Sequence, residues 1–167
     1  MHRNGVSLAR HNLVLVADTP KGRGIFAARE IPAGTEIEVS PVLVLDPEEN
    51  EKHIRHTVLY HYTYTRRSNW PYIEPRTGKR MTTQAIILGL GSMFNHSRVN
   101  QNVGWQRDLS QQLVRYQTLR RIEAGEELCI SYGSSLTFDD ADSEADDDDE
   151  QDGTTGTGFL SSFGLSP

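Results

Sequence analysis

The feature that most constrains this chain is the brevity of its apolar segments. LVLVA (13–17), GIFAA (24–28), TEIEV (35–39) and VLVL (42–45) are separated by DTPKGR, REIPAG and SP, and every break carries Pro or Gly. Bursts of four or five apolar positions between turn signals predict many short strands and exclude a bundle of long helices. Pro32-Ala33-Gly34 suits a tight turn, because Pro presets one φ and Gly accepts a later positive one. The second half repeats the pattern with VGWQ (103–106), QLVRYQTL (112–119) and LCISY (128–132), the last preceded by a turn at Gly125. The expected fold class is mostly β.

A chain of 167 residues has room for one ordinary domain. No apolar run nears the ~20 residues that span a bilayer, and the opening MHRNGVSLARHNLVLVAD is interrupted by Arg10, so the expectation is a soluble, untargeted intracellular protein with no membrane partner. One cysteine, Cys129, excludes an internal disulfide and a thiolate zinc cluster. The formal charge of −6 is unevenly placed. Ten acids and no base lie between Asp139 and Asp152, which leaves residues 1–138 at about +4. Like charges without apolar periodicity stay solvated, and GTTGTGFLSSFGLSP beyond them cannot build a core. The predicted organisation is a domain over 1–138 and an acidic, Gly/Ser-rich tail over 139–167. That tail is either a solubilising appendage or a strip that attracts a basic partner.

Asp46-Pro47-Glu48-Glu49 predicts a helix start, with Asp46 as cap and Pro47 in the first turn, running to about Val58. YHYTY (60–64) alternates aromatic and polar residues and predicts a strand. TRRSNWPYIEPRTGKRMTTQ, with two prolines and scattered charge, predicts an exposed excursion before AIILGLGSMF (85–94) re-enters the core.

Several residues could carry chemistry. The GRG at 22–24 follows an apolar strand, so it is either a plain turn or a place where backbone amides approach a ligand. Asn95-His96-Ser97 directly follows apolar SMF; such groups near a core form either a satisfied structural network or a ligand site. A hydrolase elbow around Ser97 would need glycine where Asn95 and Val99 stand. His53, His56 and His61 lack a carboxylate or cysteine to complete a metal set, so no metal is expected. Cys129, between Leu128 and Ile130, reads as a small buried hydrophobe.

Taken in order, KGRGIFAAREIPAG, GSMFNHS and LRRIEAGEELCISYG resemble the SET-domain protein lysine methyltransferases, over about residues 8–135. The variety most resembled is the short, free-standing SET protein. The resemblance implies a β-clip-type SET-domain fold, with several small antiparallel sheets around a pseudoknot and a short inserted helix. It implies S-adenosylmethionine as cofactor, and a substrate lysine that enters a narrow channel from the opposite face. Carried over by position, Lys21, Gly22, Arg23 and Gly24 would wrap the methionine end of the donor through backbone groups. Asn95 and the His96 backbone would hold its amino group and adenine, with Phe138 also in the cofactor-binding set. Tyr132 would be the catalytic tyrosine at the point of methyl transfer. Tyr62, Tyr64 and Trp105 are candidates for the aromatic walls of the lysine channel, or for ordinary core positions. Two departures stand out. Arg98-Val99-Asn100-Gln101-Asn102 replaces the Cys and Pro-Asn pair that many members carry after this motif, and Ser131 stands where an Asp often precedes the tyrosine. The cysteine-rich segment that closes the channel in many relatives is missing, so Phe138, Phe159 and Phe163 of the tail, or the second subunit of a homodimer, would have to close it.

The resemblance implies a lysine methyltransferase acting on a histone tail or another basic protein, nuclear in that case and otherwise cytoplasmic, with no direct nucleic acid binding. Two other readings stand beside it: a catalytically silent SET-fold module holding basic partners with its acidic tail, and an acidic chaperone with an incidental domain.

Overall fold

The computed structural model describes residues 5–8, 12–63 and 70–132. Tyr64, Phe138 and the whole 139–167 segment, including Phe159 and Phe163, lie outside the described residues.

Eleven short strands form among the described residues. β1 (Gly5–Leu8), β2 (Leu13–Thr19) and β3 (Gly22–Ala27) make an antiparallel sheet in that order. A second antiparallel sheet contains β4 (Glu36–Val44), β7 (Ala85–Ile87), β9 (Val103–Asp108) and β10 (Leu113–Thr118), in the order β7-β4-β10-β9. β5 (Trp70–Ile73) and β6 (Arg80–Thr83) form a separate hairpin, while β8 (Asn95–His96) and β11 (Cys129–Ile130) form a two-residue parallel pair. The mostly β expectation holds. Among the described residues no helix is long and apolar enough to cross a membrane.

The core lies between these sheets. β10 alternates strictly, so Val114 and Tyr116 point inward at 0% exposure, where they join Leu13, Ile25, Ile37, Phe94, Ile122 and Leu128. Phe94 and Tyr116 stack at a tilt, with centroids 5.1 Å apart. A Cβ on Gly91 would lie 2.4 Å from the Tyr116 ring, so that backbone approaches the core as only glycine permits. The turn at Pro32 closes as anticipated, with Gly34 at φ +74° and its N–H donated to the Thr118 carbonyl.

Several local expectations need correction. TEIEV and VLVL are one strand, because Ser40-Pro41 does not break β4. Pro41 sits where β4 changes partners, pairing with β10 up to that residue and with β7 after it, so its missing N–H costs no ladder bond. The helix α1 (Pro47–Lys52) begins with the predicted cap, Asp46 accepting from the backbone of Glu48 and Glu49, but stops six residues short of Val58. A 3-10 turn over Ile54–His56 follows. The described part of YHYTY, residues 60–63, is not a strand. Val58–Tyr62 is a second 3-10 turn, started by the Thr57 hydroxyl accepting from Leu59 N–H, and only Thr63 bridges to Ile86. Local bonds at Thr57 and Thr63 outcompete the period-2 pattern, which meets β7 at a single bridge. The supposed excursion contains the β5–β6 hairpin, whose first residue, Trp70, is 1% exposed.

One polar network fastens the end of the chain. Asn102, at 0% exposure, donates to Glu126 Oε1 at 2.9 Å and to the Glu127 carbonyl at 2.7 Å, while its Oδ1 accepts from Cys129 N–H. Arg120 donates to Glu126 at 2.6 Å, and this bond, foremost, holds the Glu126 carboxyl down at about 2, below its ordinary 4.5. A depressed folded-state value stabilises the fold above the unfolded pKa of about 4.5, and the benefit is lost as pH falls from there towards 2. Glu126→Gln should therefore flatten the acid limb of the melting-temperature profile between about pH 5 and pH 2, and cost about 1 kcal/mol at neutral pH. Thermal melts across that range check this; an unchanged acid limb would contradict it.

Candidate functional site

The GRG segment is shaped by the turn before it. Thr19 donates its hydroxyl to the Gly22 carbonyl at 2.7 Å and accepts from Lys21 N–H, which fixes the entry to β3. From there Lys21 reaches across the molecule, its Nζ donating to the His96 carbonyl at 3.0 Å. Arg23 presents two different groups. Its carbonyl accepts from Asn95 Nδ2 at 2.9 Å, and its guanidinium donates to the Tyr62 hydroxyl at 2.8 Å. Gly24 lies against the same cluster: a Cβ there would be 2.5 Å from Glu127 Oε1 and 2.9 Å from Asn95 Nδ2. Asn95 donates to Glu127 Oε1 as well, at 2.7 Å.

β8 and β11 bring the second and third motifs together. Cys129 pairs with Asn95, and Ile130 with His96, in parallel. Ser97 continues the contact, giving its N–H to the Ile130 carbonyl, and its buried hydroxyl accepts from Asn100 N–H. Ser97 is thus a structural link. His96 is 5% exposed; its Nδ1 accepts from Tyr132 N–H at 3.1 Å, and its ring lies 5.3 Å from the Tyr132 ring.

Tyr132 shows two faces. The residue is 37% exposed, yet its hydroxyl donates inward to the Phe94 carbonyl at 2.6 Å. Desolvation of that hydroxyl, with smaller contributions from Cys129 and Tyr62, pushes its pKa up to about 12. It is therefore a neutral phenol over the physiological range. Trp105, on β9, donates Nε1 to the Ser131 carbonyl at 3.2 Å, so its indole braces the backbone next to Tyr132.

The structure thus brings Lys21, Gly22, Arg23, Gly24, Asn95, His96 and Tyr132 into one region, with Tyr62 and Trp105 attached to its edges. Sequence reasoning missed three participants. Glu127 places a carboxylate against Gly24 and Asn95; Phe94 supplies a backbone carbonyl; Asn102 clamps β11. Glu127 stands within the GEEL run, and its place two residues before a strand that pairs with Asn95 was the available signal. Asn102 belongs to the segment that departs from the family pattern, yet its side chain and backbone make bonds to Glu126, Glu127 and Cys129. Among the described residues no group of three or more His, Cys, Asp or Glu is arranged to hold a metal, His53, His56 and His61 included.

Comparison with known proteins identifies the family. The SET domain family model matches residues 22–133. The chain is 50% identical over 125 residues to the histone-lysine N-methyltransferase, H3 lysine-37 specific, of Schizosaccharomyces pombe (strain 972 / ATCC 24843), covering 75% of this chain and 76% of that protein. Two solved structures share the fold. A candidate histone methyltransferase of Plasmodium falciparum aligns with a TM-score of 0.51 and 22% identity, over 75% of this chain and 96% of that one. CpSET8 from Cryptosporidium aligns with a TM-score of 0.51 and 20% identity, over 75% and 59%.

The packing at Gly24 generates a direct test. Gly24→Ala forces its new methyl into Glu127 and Asn95, and overpacking of this kind costs about 1–3 kcal/mol. Denaturant unfolding should show that loss. Gly22→Ala, with no atom within 4 Å but φ at +85°, should lose about 1 kcal/mol through backbone strain alone. Equal, negligible effects at both positions would contradict the packing.

Proposed function

This chain belongs to the SET-domain family, and from that premise we propose that it is an S-adenosylmethionine-dependent protein-lysine N-methyltransferase whose substrate is a histone tail. The observation that carries the reading is the meeting of three separate motifs at one place: Arg23 and Asn95 share a hydrogen bond, and His96 and Tyr132 share another. The H3 lysine-37 specificity of the fission-yeast relative supports histone H3 as the substrate class.

The polar groups present fit the donor. Its methionine end carries an ammonium and a carboxylate, and the region offers the Glu127 carboxylate, the Asn95 amide and the Lys21 ammonium within one hydrogen-bonded cluster. Gly22 and Gly24 leave backbone groups without a shielding side chain. In our reading Lys21 to Gly24, Asn95 and the His96 backbone hold this molecule, with Phe138 as a further contact. When bound, S-adenosylmethionine supplies an electrophilic methyl group on a sulfonium.

The protein's own task is to align an amine and keep it neutral. A lysine side chain has an ordinary pKa near 10.4, and an apolar channel lowers it by desolvation. Tyr62, Tyr64 and Trp105 are proposed as the channel walls, whose faces favour cations and whose edges pack the alkyl stem. Tyr132 is proposed as the catalytic residue. With its proton directed at the Phe94 carbonyl, its oxygen keeps lone pairs available to orient the incoming amine. A phenol titrating near 12 is too weakly acidic to serve as a base at neutral pH, so Tyr132 works by orientation.

Residues 1–138 form the catalytic unit in this reading, and the acid run beyond attracts a basic substrate. A nuclear location follows from a histone substrate, and a second copy of the chain is a candidate to close the lysine channel.

Methyl transfer from radiolabelled donor to core histones tests the activity directly; no transfer by a folded protein on any histone would refute it. Asn95→Ala should weaken donor binding at least about tenfold by calorimetry, because it also strands the Glu127 carboxylate. Tyr132→Phe should lower kcat by about 10²-fold or more with donor affinity nearly intact. The rate should rise with pH as the substrate amine deprotonates, and the Phe variant should keep that limb at reduced height. Loss of the limb in the variant would instead make Tyr132 the titrating group.

A further inference from the structure

The β5–β6 hairpin concentrates positive charge that the rest of the fold does not use. Most described cations are engaged: Lys52, Arg55, Arg115, Arg120 and Arg121 pair with acids, and Lys21 and Arg23 bond across the site. Arg76, Lys79 and Arg80 have no such partner among the described residues, and all three are exposed within five positions of one turn.

The turn that carries them is built to hold its shape. Glu74 accepts from the backbone N–H groups of Arg76 and Thr77 and from the Thr77 hydroxyl, and its own N–H bonds to the Lys79 carbonyl. Gly78 sits at φ +69°, donating to the Glu74 carbonyl. The one carboxylate of the tip is held in place by the Thr77 hydroxyl and two backbone amides, which keep its pKa low, so it stays ionised, pairs directly with none of the three cations and leaves the tip at about +2. At the base, Trp70 is buried and Tyr72 donates to Asp46 at the start of α1, so the hairpin projects from a firm anchor.

A braced, exposed tip with three cations free of ion pairs among the described residues and a net charge of about +2 fits a dense, regular polyanion. We propose that the β5–β6 hairpin docks on the phosphate backbone of duplex DNA. The family resemblance carries no expectation of nucleic acid contact, but phosphate binding depends on where the cations stand. DNA fits the placement because each released counterion contributes without base-specific chemistry, and the tip offers cations with no groove-reading helix. Its use on chromatin rests on the histone reading above; the contact with DNA does not.

The test uses the full chain and a fluorescently labelled 20-base-pair duplex, read by anisotropy at several salt concentrations. The wild type should bind at low salt, and Arg76→Ala/Lys79→Ala/Arg80→Ala should weaken binding at least about tenfold and reduce the salt slope by about 2 to 3. Arg29→Ala, an exposed cation elsewhere, should leave the slope within about one contact of wild type. Matching melting temperatures establish that the triple variant is folded, and no turnover is measured, so an inactive enzyme would not obscure the result. Equal binding by wild type and triple variant would overturn the proposal. Binding that emerges only after residues 139–167 are removed would overturn it too, assigning the hairpin to the chain's own acid run.

Discussion

The two-residue parallel pairing of Asn95–His96 with Cys129–Ile130 is the contact on which the rest of this site depends. A parallel ladder so short has almost no stability of its own. It holds because its neighbours are fixed by other means: Ser97 extends it by one backbone bond, Asn102 grips both backbone groups of Cys129, and Phe94 and Leu128, which lead into the two strands, are sealed in the core. The pairing sets the distance between the motif at 95–97 and Tyr132, so the position of the tyrosine hydroxyl is inherited from core packing.

The same arrangement explains why so many polar groups are tolerated beside an apolar core. Asn102 is fully buried, but its amide and backbone each reach a partner, so its desolvation is compensated. Glu126 and Glu127 diverge in use although they are adjacent. Glu126 turns to Arg120 and Asn102 and fastens the chain end, whereas Glu127 turns to Asn95 beside Gly24. Adjacent residues in an extended segment face opposite ways, and here one side is structural and the other faces the candidate site.

Much of this was legible in the sequence. Short apolar bursts with Pro and Gly between them gave the strands, Asp46-Pro47 gave a helix start, and three ordered motifs gave the family. What was hidden came from tertiary context. Pro41 looks like a strand break until the change of partner from β10 to β7 makes its missing N–H harmless. The alternation over residues 60–63 meets β7 only at the Thr63–Ile86 bridge and yields to the Thr57 cap. Glu127 and Asn102 look like surface polar residues because nothing local reveals that the 95–97 segment will lie beside them. Trp70 sits in a stretch whose prolines and charges read as solvent, yet its ring is buried with the Arg107 guanidinium above it at 5.9 Å.

Charge is divided across the molecule in a way that composition conceals. In the described cluster, Lys21 and Glu127 contribute opposite charges, both committed to backbone or amide partners, and Tyr132 remains neutral. The proposed function would gain from this near-neutral interior, since a strong local anion would raise the substrate amine's pKa and hold the proton in place. The carboxylates are bonded to Asn95, Asn102 and Arg120, and at the tyrosine the amine would meet a phenol oxygen and a carbonyl. These oxygens favour the cation by dipoles alone, weakly enough that desolvation can still drive the proton off. Under the proposed function, the Phe94 carbonyl and the Tyr132 hydroxyl would tune the amine together, and the backbone oxygen, which substitution of its own side chain leaves in place, would set the lower limit of activity when the hydroxyl is lost.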